Sequence, residues 1–352
     1  MVTSQPAALS RQATPESDDG FYPLTVTKVV PETPDSASFE FEAPADRFHY
    51  APGQFITLRV VIDGVARNRS YSMSSSPATG ERLRVTVKRT PGGPVSNWLN
   101  DNLAEGDVIQ AMAPAGRFVL DEGEHDIVAF AGGSGVTPVI SILKTALATT
   151  SRRARLLYAN RDRTSIIFAQ QIDELVERYG DRLAVSHHLD VEHGFVDAQK
   201  AQAFAEGAPD AAFFICGPAP FMDVTERGVL ASGVPARRVH LERFTTPEPG
   251  EAPPSPDLIP EAVKVTIKLA GRTAEGDYRA GATLLQTARQ LGLKPPFSCE
   301  AGNCATCMAK IVEGSAVMHC NQALTPEEVA EGWVLTCQAV PTSAAVKVVY
   351  ES

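Results

Sequence analysis

Apolar and polar positions follow one rhythm in the first third of the chain and another in the middle third. From Pro23 to about Leu120, short runs alternate, as in Gln54-Phe-Ile-Thr-Leu-Arg-Val60 and Leu83-Arg-Val-Thr-Val-Lys88, and break at Pro52-Gly53 and Pro91-Gly92. A period of two separated by turn residues predicts an antiparallel β-barrel. From about Asp126 apolar strands alternate with helical stretches: Ile127–Ala131 with Pro138–Leu147, Ala154–Ala159 with Ile166–Tyr179, Leu183–His187 with Asp197–Ala205, and Ala211–Cys216 with Ala219–Ala231. Repeated strand-helix units predict a doubly wound α/β parallel sheet, which binds ligands at the C-terminal ends of its strands. Nearer the C-terminus, Val263–Ala270 reads as a strand, Thr283–Leu291 as a short helix and Val346–Tyr350 as a closing strand.

The clearest seam is 245–260, TTPEPGEAPPSPDLIP, where six prolines and three acids leave little to pack and predict an extended linker. Residues 1–20 are polar and expected to be disordered. The chain therefore divides into a tail at 1–20, a barrel at 21–123, an α/β domain at 124–244, the linker at 245–260 and a small domain at 261–352. With 352 residues, 43% of them hydrophobic, there is material for several cores, and a disordered or fibrous chain is excluded. No apolar run approaches the length of a membrane span, and the first residues lack the core of a secretory signal, so a cytoplasmic protein is expected. A formal net charge of −10 speaks against binding nucleic acid, which needs a basic surface.

Chemistry concentrates first in the cysteines. Cys299, Cys304 and Cys307 form a C-x4-C-x2-C run, and Cys337 follows thirty residues later. Four thiolates in this spacing suit a plant-type [2Fe–2S] cluster, for which a tight loop and one remote segment must converge on two irons. Gly302 lets the loop turn closely around such a cluster. A zinc site would usually offer two C-x-x-C pairs, and a thioredoxin-like dithiol would leave Cys299 and Cys337 unexplained. Cys320, beside His319, reads as a bystander because the other four cysteines complete the pattern.

A second signal lies in the barrel. Arg69-Ser70-Tyr71-Ser72 offers a cation, an aromatic face and hydroxyl donors, which a flavin needs for its phosphate, its ring and its ring edge. Val87-Lys88, followed by the turn Gly92-Gly93-Pro94-Val95-Ser96, opens a helix whose N-terminus is a natural seat for a pyrophosphate.

The third and fourth signals are two glycine turns in the α/β segment. Gly132-Gly133-Ser134-Gly135-Val136-Thr137-Pro138 follows its first strand, and Cys216-Gly217-Pro218 follows its fourth. Such turns bring main chain close to a dinucleotide at a helix's positive end. The first is not the usual G-x-G-x-x-G fingerprint, since Pro138 takes the third glycine's place, and it lacks the last glycine of a G-x-S-x-G nucleophile elbow. Asn160, Arg161 and Arg163 end the second strand, where an acid favours a ribose hydroxyl and arginine a 2′-phosphate, with Asp162 between the arginines. His187, His188 and His193 have no acidic or thiol partner at regular metal-site spacing.

In this order, R-x-Y-S, G-G-x-G-x-T-P, C-G-P and the cysteine run resemble the ferredoxin–NADP⁺ reductase superfamily carrying a C-terminal plant-type ferredoxin domain. The order flavin, nucleotide, [2Fe–2S] resembles the reductase components of bacterial multicomponent oxygenases, nearest to those serving 3-ketosteroid 9α-hydroxylases and next to those of phenylacetyl-CoA epoxidases. The resemblance implies a flavin barrel, a nucleotide domain and a β-grasp domain of α+β type. It further implies a relay from NADH or NADPH through FAD and the cluster to an oxygenase, with NADH favoured. A non-turnover redox sensor, or a di-iron, haem or hybrid-cluster acceptor, are the alternatives.

Residue by residue, the resemblance puts Arg69 on the flavin phosphate, Tyr71 on its ring, and Ser72 with Ser70 along its edge. Val87 and Lys88 would line the flavin site, and Gly92, Gly93, Val95 and Ser96 would hold its diphosphate. Gly133, Ser134, Gly135, Gly217 and Pro218 would take the nucleotide, and Asn160 and Arg161 its adenosine end. Thr137 and Cys216 would approach the nicotinamide, while Glu242 or Phe244 would close over the flavin, so that Ser72, Cys216 and Glu242 form the expected reacting edge. Ala305 departs from the Gly or Ser common after the second cysteine, which leaves ligation intact and alters a backbone contact to sulfur.

The charge sharpens the picture once it is apportioned. The tail carries −2 and the linker −3, whereas 261–352 carries only −1, so a strongly acidic face on the ferredoxin block is not expected.

Overall fold

The computed structural model describes residues 20–244, 263–321 and 323–351. The expected linker, and the expected tail apart from Gly20, lie outside the described residues. Residues 20–114 and 118–244 pack as one compact unit, and 263–351 belong to a second.

The first unit opens with β1 (Phe21–Thr33), β2 (Ser36–Glu42), β3 (Phe55–Ile62), β4 (Val65–Ser72), β5 (Leu83–Lys88), α1 (Pro94–Asn102) and β6 (Val108–Met112). All ladders are antiparallel, in the order β4-β3-β6-β1-β2-β5. Just past β4, Met73 bridges Val85 and Ser74 N donates to Arg84 O at 2.8 Å, which closes the sheet into a barrel. Inward positions of the strands, among them Leu24, Phe39, Ile56, Leu58, Met73 and Val85, fill the interior, and α1 adds Val95 and Leu99.

The chain then alternates: β7 (Ile127–Gly132), α2 (Val136–Thr149), β8 (Ala154–Asn160), α3 (Ala169–Tyr179), β9 (Leu183–Leu189), α4 (Asp190–His193), α5 (Ala198–Ala205), β10 (Ala212–Gly217), α6 (Ala219–Ala231) and β11 (Val239–Arg243). The parallel order β11-β10-β7-β8-β9 reverses direction between β7 and β10. That is the topological switch point, where the connections leave on opposite sides and open a crevice. β7 and β10 are buried at every position, as central strands covered on both faces are, and so read as continuous apolar runs. One expectation shifts. Ile166–Phe168 are not helical; they are drawn into the core, Phe168 adopts φ +64°, and α3 starts only at Ala169.

The second unit comprises β12 (Lys264–Leu269), β13 (Arg272–Asp277), α7 (Leu284–Gln290), β14 (Met308–Glu313), β15 (Ala316–Met318), α8 (Pro326–Ala330), β16 (Trp333–Leu335), β17 (Ala339–Pro341) and β18 (Ala345–Val349). Its mixed sheet runs β13-β12-β18-β14-β16, with β12 and β18 parallel, and packs Leu284 and Ala288 of α7 against Val265, Ile267, Val346 and Val348. Thr283 and Gln286 start α7 with a reciprocal capping box. This is the β-grasp arrangement, with the cysteine loop strung between α7 and β14. Among the described residues no helix is long and apolar enough to cross a membrane.

Candidate redox and nucleotide sites

Each cysteine of the run is placed by a local device. Cys304, Cys307 and Cys337 are buried and Cys299 is half-buried, and none of the four is in a disulfide. Among the described residues no three His, Cys, Asp or Glu side chains are arranged to hold a single metal ion. The thiols meet instead as two pairs. Cys304 donates to Cys299, which together with N–H donors holds Cys299 down to about 7 against its burial, and Cys337 donates to Cys307. The donating thiols, Cys304 and Cys337, are pushed up by those same bonds and by burial. Charge coupling also crosses between the pairs, from Cys299 to Cys307 and from Cys304 to Cys307. Two neighbouring dithiol pairs fit two irons.

The loop around them is strained and well held. Glu300 and Ala305 adopt φ +51° and +54°, a conformation that costs a non-glycine residue roughly 1–2 kcal/mol. Arg289 forks onto the Glu300 carboxylate with two contacts of 3.1 Å, and Gln338 Nε2 donates to Glu300 O at 2.9 Å. Ala301 N–H approaches Cys299 Sγ at 3.3 Å and Cys337 N–H approaches Cys307 Sγ at 3.5 Å. The expectation about Gly302 has a concrete basis. At φ +80° it is buried so closely that an added Cβ would lie 2.8 Å from Cys320 O. Gly302→Ala is therefore expected to destabilise the second unit by about 1–3 kcal/mol, read as a lower thermal midpoint, and to reduce iron content; an unchanged midpoint would contradict this.

In the barrel, the β3–β4 ladder sets Tyr71 opposite Ile56 and Ser72 opposite Phe55. Tyr71 is half-buried, and burial drives its hydroxyl pKa upward, so it is a neutral face. Ser72 is 3% exposed, and its Oγ has no hydrogen-bond partner. A buried orphan hydroxyl is costly unless something else fills its valence, as a flavin edge would. Ser70 bonds Thr57 at 2.9 Å, and Arg69 turns Nη1 to Asn68 O at 2.7 Å. Val87 and Val95 face the barrel core, so any contact they make with a cofactor runs through main chain. Ser96 Oγ accepts from Thr90 N at 3.0 Å and braces the Gly92-Gly93 turn. No side chain caps α1, which leaves its first turn available to a diphosphate.

In the parallel sheet, both glycine turns fall at the switch point. Gly135 is packed so tightly on β10 that a Cβ there would sit 2.2 Å from Cys216 O. Tyr158 OH lies 3.2 Å from Gly133 O and 3.3 Å from Ile167 O, pinning the turn. Thr137 Oγ1 donates to Ser134 O at 3.0 Å. Lys88 Nζ, from the barrel, stands 3.7 Å from where a Cβ on Gly133 would lie, so the end of β5 and the first glycine turn meet. Parallel pairing sets Glu242 beside Cys216. Cys216 is fully buried, and burial followed by the Glu242 charge pushes its thiol well up, so it is protonated. Gly217 is buried behind the exposed Pro218, and Phe244 is exposed at the end of β11. Asn160, at the end of β8, is buried; its amide reaches towards Tyr158, yet neither amide atom completes a hydrogen bond. Arg161 is exposed and engaged by Asp162 at 2.9 Å.

Sequence reasoning passed over the polar contacts between α2 and the β4–β5 connection, and also the Arg289–Glu300 fork. A lone lysine in the apolar run Val136–Thr149 was the one available signal for the former.

A barrel with an orphaned serine at its edge, a main-chain crevice beside it and a paired four-thiol pocket define an NAD(P)H-dependent iron–sulfur flavoprotein reductase. Family comparisons agree: residues 23–120 match the oxidoreductase FAD-binding domain, 130–227 the oxidoreductase NAD-binding domain and 267–342 the 2Fe-2S iron-sulfur cluster binding domain. The chain is 41% identical over 342 residues to the ferredoxin reductase component of 3-ketosteroid-9-alpha-monooxygenase from Mycolicibacterium smegmatis, covering 93% of this chain and 96% of that one. It is 34% identical to a 1,2-phenylacetyl-CoA epoxidase component from Escherichia coli, covering 94% and 98%. Phthalate dioxygenase reductase, a structure described as modular for electron transfer from pyridine nucleotides to [2Fe–2S], superposes with a TM-score of 0.60 at 25% identity, covering 95% and 99%. The chain belongs to the family of these oxygenase reductases, and its cofactors are FAD, NAD(H) and a [2Fe–2S] cluster.

Proposed function

We propose that the chain is the reductase component of a Rieske-type oxygenase that acts on a steroid nucleus, and that it takes its electrons from NADH. The observation that carries the acceptor is the 41% identity to a ketosteroid monooxygenase reductase across nearly the whole of both chains. The test is reconstitution: NADH, this chain and a candidate oxygenase are combined with a 3-ketosteroid or with phenylacetyl-CoA. Hydroxylated steroid supports the reading, and epoxide formation alone would overturn it. The domain limits remain the proposed 21–123, 124–244 and 261–352. A cytoplasmic location is proposed from the four buried or half-buried cluster thiols and Cys216, none in a disulfide.

The roles proposed for individual residues follow from their positions. FAD and the cluster supply the conversion from paired to single electrons when bound. Arg69, the α1 N-terminus and the Gly92-Gly93 turn would neutralise phosphate; Tyr71 would cover the ring, and Ser72 would offer its orphan hydroxyl to the ring edge. Gly133, Ser134, Gly135 and Thr137 would seat the nucleotide at the switch point. Cys216, as a protonated thiol, and Glu242 would form the wall beside the reacting carbon. Cys299, Cys304, Cys307 and Cys337 would ligate the irons.

NADH is favoured by the rim of the crevice. Arg161 is already bonded to Asp162, and Arg163 lies 3.9 Å from Glu192, so neither guanidinium is offered unpaired to a 2′-phosphate. Stopped-flow flavin reduction is expected to favour NADH over NADPH in kcat/KM by roughly tenfold or more. Equal or better reduction by NADPH would remove this reading.

A further inference from the structure

Helix α2 carries the nucleotide turn at its start and a row of polar side chains along one face. Ser141 Oγ donates to Ser75 O at 2.6 Å, Lys144 Nζ donates to Ser74 O at 2.6 Å and to Glu81 at 2.8 Å, and Thr145 Oγ1 meets Ser76 Oγ at 2.8 Å. On the barrel side, Ser76 N–H donates to Glu81 at 2.7 Å, Arg84 donates to Glu81 at 3.1 Å and Tyr50 OH meets Ser75 Oγ at 2.7 Å. Ser74, Ser75, Ser76 and Ser141 are fully buried, and Lys144 is 4% exposed. Burial, followed by Arg84, pushes Lys144 down to about 8, so at neutral pH the pair with Glu81 is still charged.

Such a contact is a poor way to gain stability. Most of the remaining buried positions of α2, such as Val139, Ile140, Ile142, Leu143 and Leu147, are apolar, and an apolar face packed there would hold the helix as well or better. A buried polar row does something an apolar one cannot: each donor must meet its own acceptor, so only one register satisfies all of them. The two strips being registered are the ones the chemistry uses. Ser74 follows Ser72 by two residues, and Thr137 and Ser141 are one turn apart on the same helix.

We propose that the row from Ser74 to Ser76 against Ser141 to Thr145, centred on the Lys144–Glu81 pair, is a positioning device that holds the nucleotide turn at hydride-transfer distance from the flavin edge. This rests on the placement of Ser72 and Thr137 proposed above. Lys144 and Glu81 are positioning residues and touch neither cofactor in this scheme. A half-open cavity of about 220 Å³, bordered by Glu81, Lys144, Gln171 and Arg178, adjoins the pair.

The test uses the full chain loaded with FAD and mixed with NADH by stopped flow. Lys144→Met and Glu81→Gln are each expected to lower the limiting rate of flavin reduction by roughly tenfold or more. Half-saturation by NADH should stay within about twofold of wild type, a split that a loss of binding would not produce. The long-wavelength charge-transfer band of nicotinamide on flavin should weaken at unchanged FAD content. Ser141→Ala removes one bond of the row and serves if Lys144→Met fails to fold; a drop of roughly threefold is expected. FAD-loaded Lys144→Met and Ser141→Ala that reduce at the wild-type rate would overturn the proposal, as would loss of NADH affinity alone. Thr137→Ala and Ser72→Ala run beside them: if these slow reduction and the row variants do not, the row alone fails, and if none has an effect, the site reading fails with it.

Discussion

Cys337→Ala is expected to cut NADH-driven reduction of cytochrome c by more than roughly 100-fold, because losing even an outer partner of a metal ligand costs about 10–100-fold in affinity and a ligand itself costs more. Flavin reduction by NADH and direct re-oxidation by ferricyanide should persist, since Cys337 lies in the second compact unit and the flavin and nucleotide residues lie in the first. Iron and acid-labile sulfide should be lost together. Cys320→Ala is the matched control. Cys320 lies outside the C-x4-C-x2-C run and is not its remote fourth cysteine, and its substitution should leave iron content and cytochrome c reduction near wild type. Full iron in Cys337→Ala, or loss of iron in Cys320→Ala, would show that the ligand set has been misassigned.

Gly135→Ala should be nearly as damaging on the other side of the relay. The added methyl would stand 2.2 Å from Cys216 O, 2.4 Å from Cys216 C and 2.6 Å from Gly217 N. All three are main-chain atoms of β10 and its turn, so no side chain can rotate away, and the nucleotide turn itself must move. A displacement of about 1 Å in a hydride-transfer geometry costs on the order of 100-fold in rate. Flavin reduction by NADH is expected to fall by that factor while FAD stays bound, because the barrel residues around Tyr71 and Ser72 are untouched. A rate within about threefold of wild type would mean that the turn does not seat the nicotinamide.

Much of this architecture is legible in the sequence. Strand-helix alternation after Asp126 implies a parallel sheet, and two glycine turns at strand ends imply a crevice, because main-chain demands leave local marks. The cysteine run from Cys299 to Cys307 is equally local, whereas its partner Cys337 is brought in by the fold. What stays hidden depends on partners distant in the chain. Lys144 looks like an error in an apolar helix until Ser74 and Glu81, more than sixty residues earlier, supply its acceptors. Glu242 comes to lie beside Cys216 only through the pairing of β11 with β10. Ile166–Phe168 match a helical pattern, and the core claims them in a non-helical form because three large apolar side chains are better buried than wound. Ala305, noted in sequence for its departure from Gly or Ser, sits at φ +54°, which explains why glycine would be at ease there.

Where Gly135 meets Cys216 O, the floor of the crevice is main chain, and point mutation can adjust such a floor only by breaking it. The rim beyond β8 is all side chain: Arg161, Asp162, Arg163 and Glu192. On the roles proposed for these residues, coenzyme choice and hydride geometry are written in separate parts of the molecule. A redesign that reassigns the rim charges is then expected to change which coenzyme is accepted while leaving the alignment imposed by the floor.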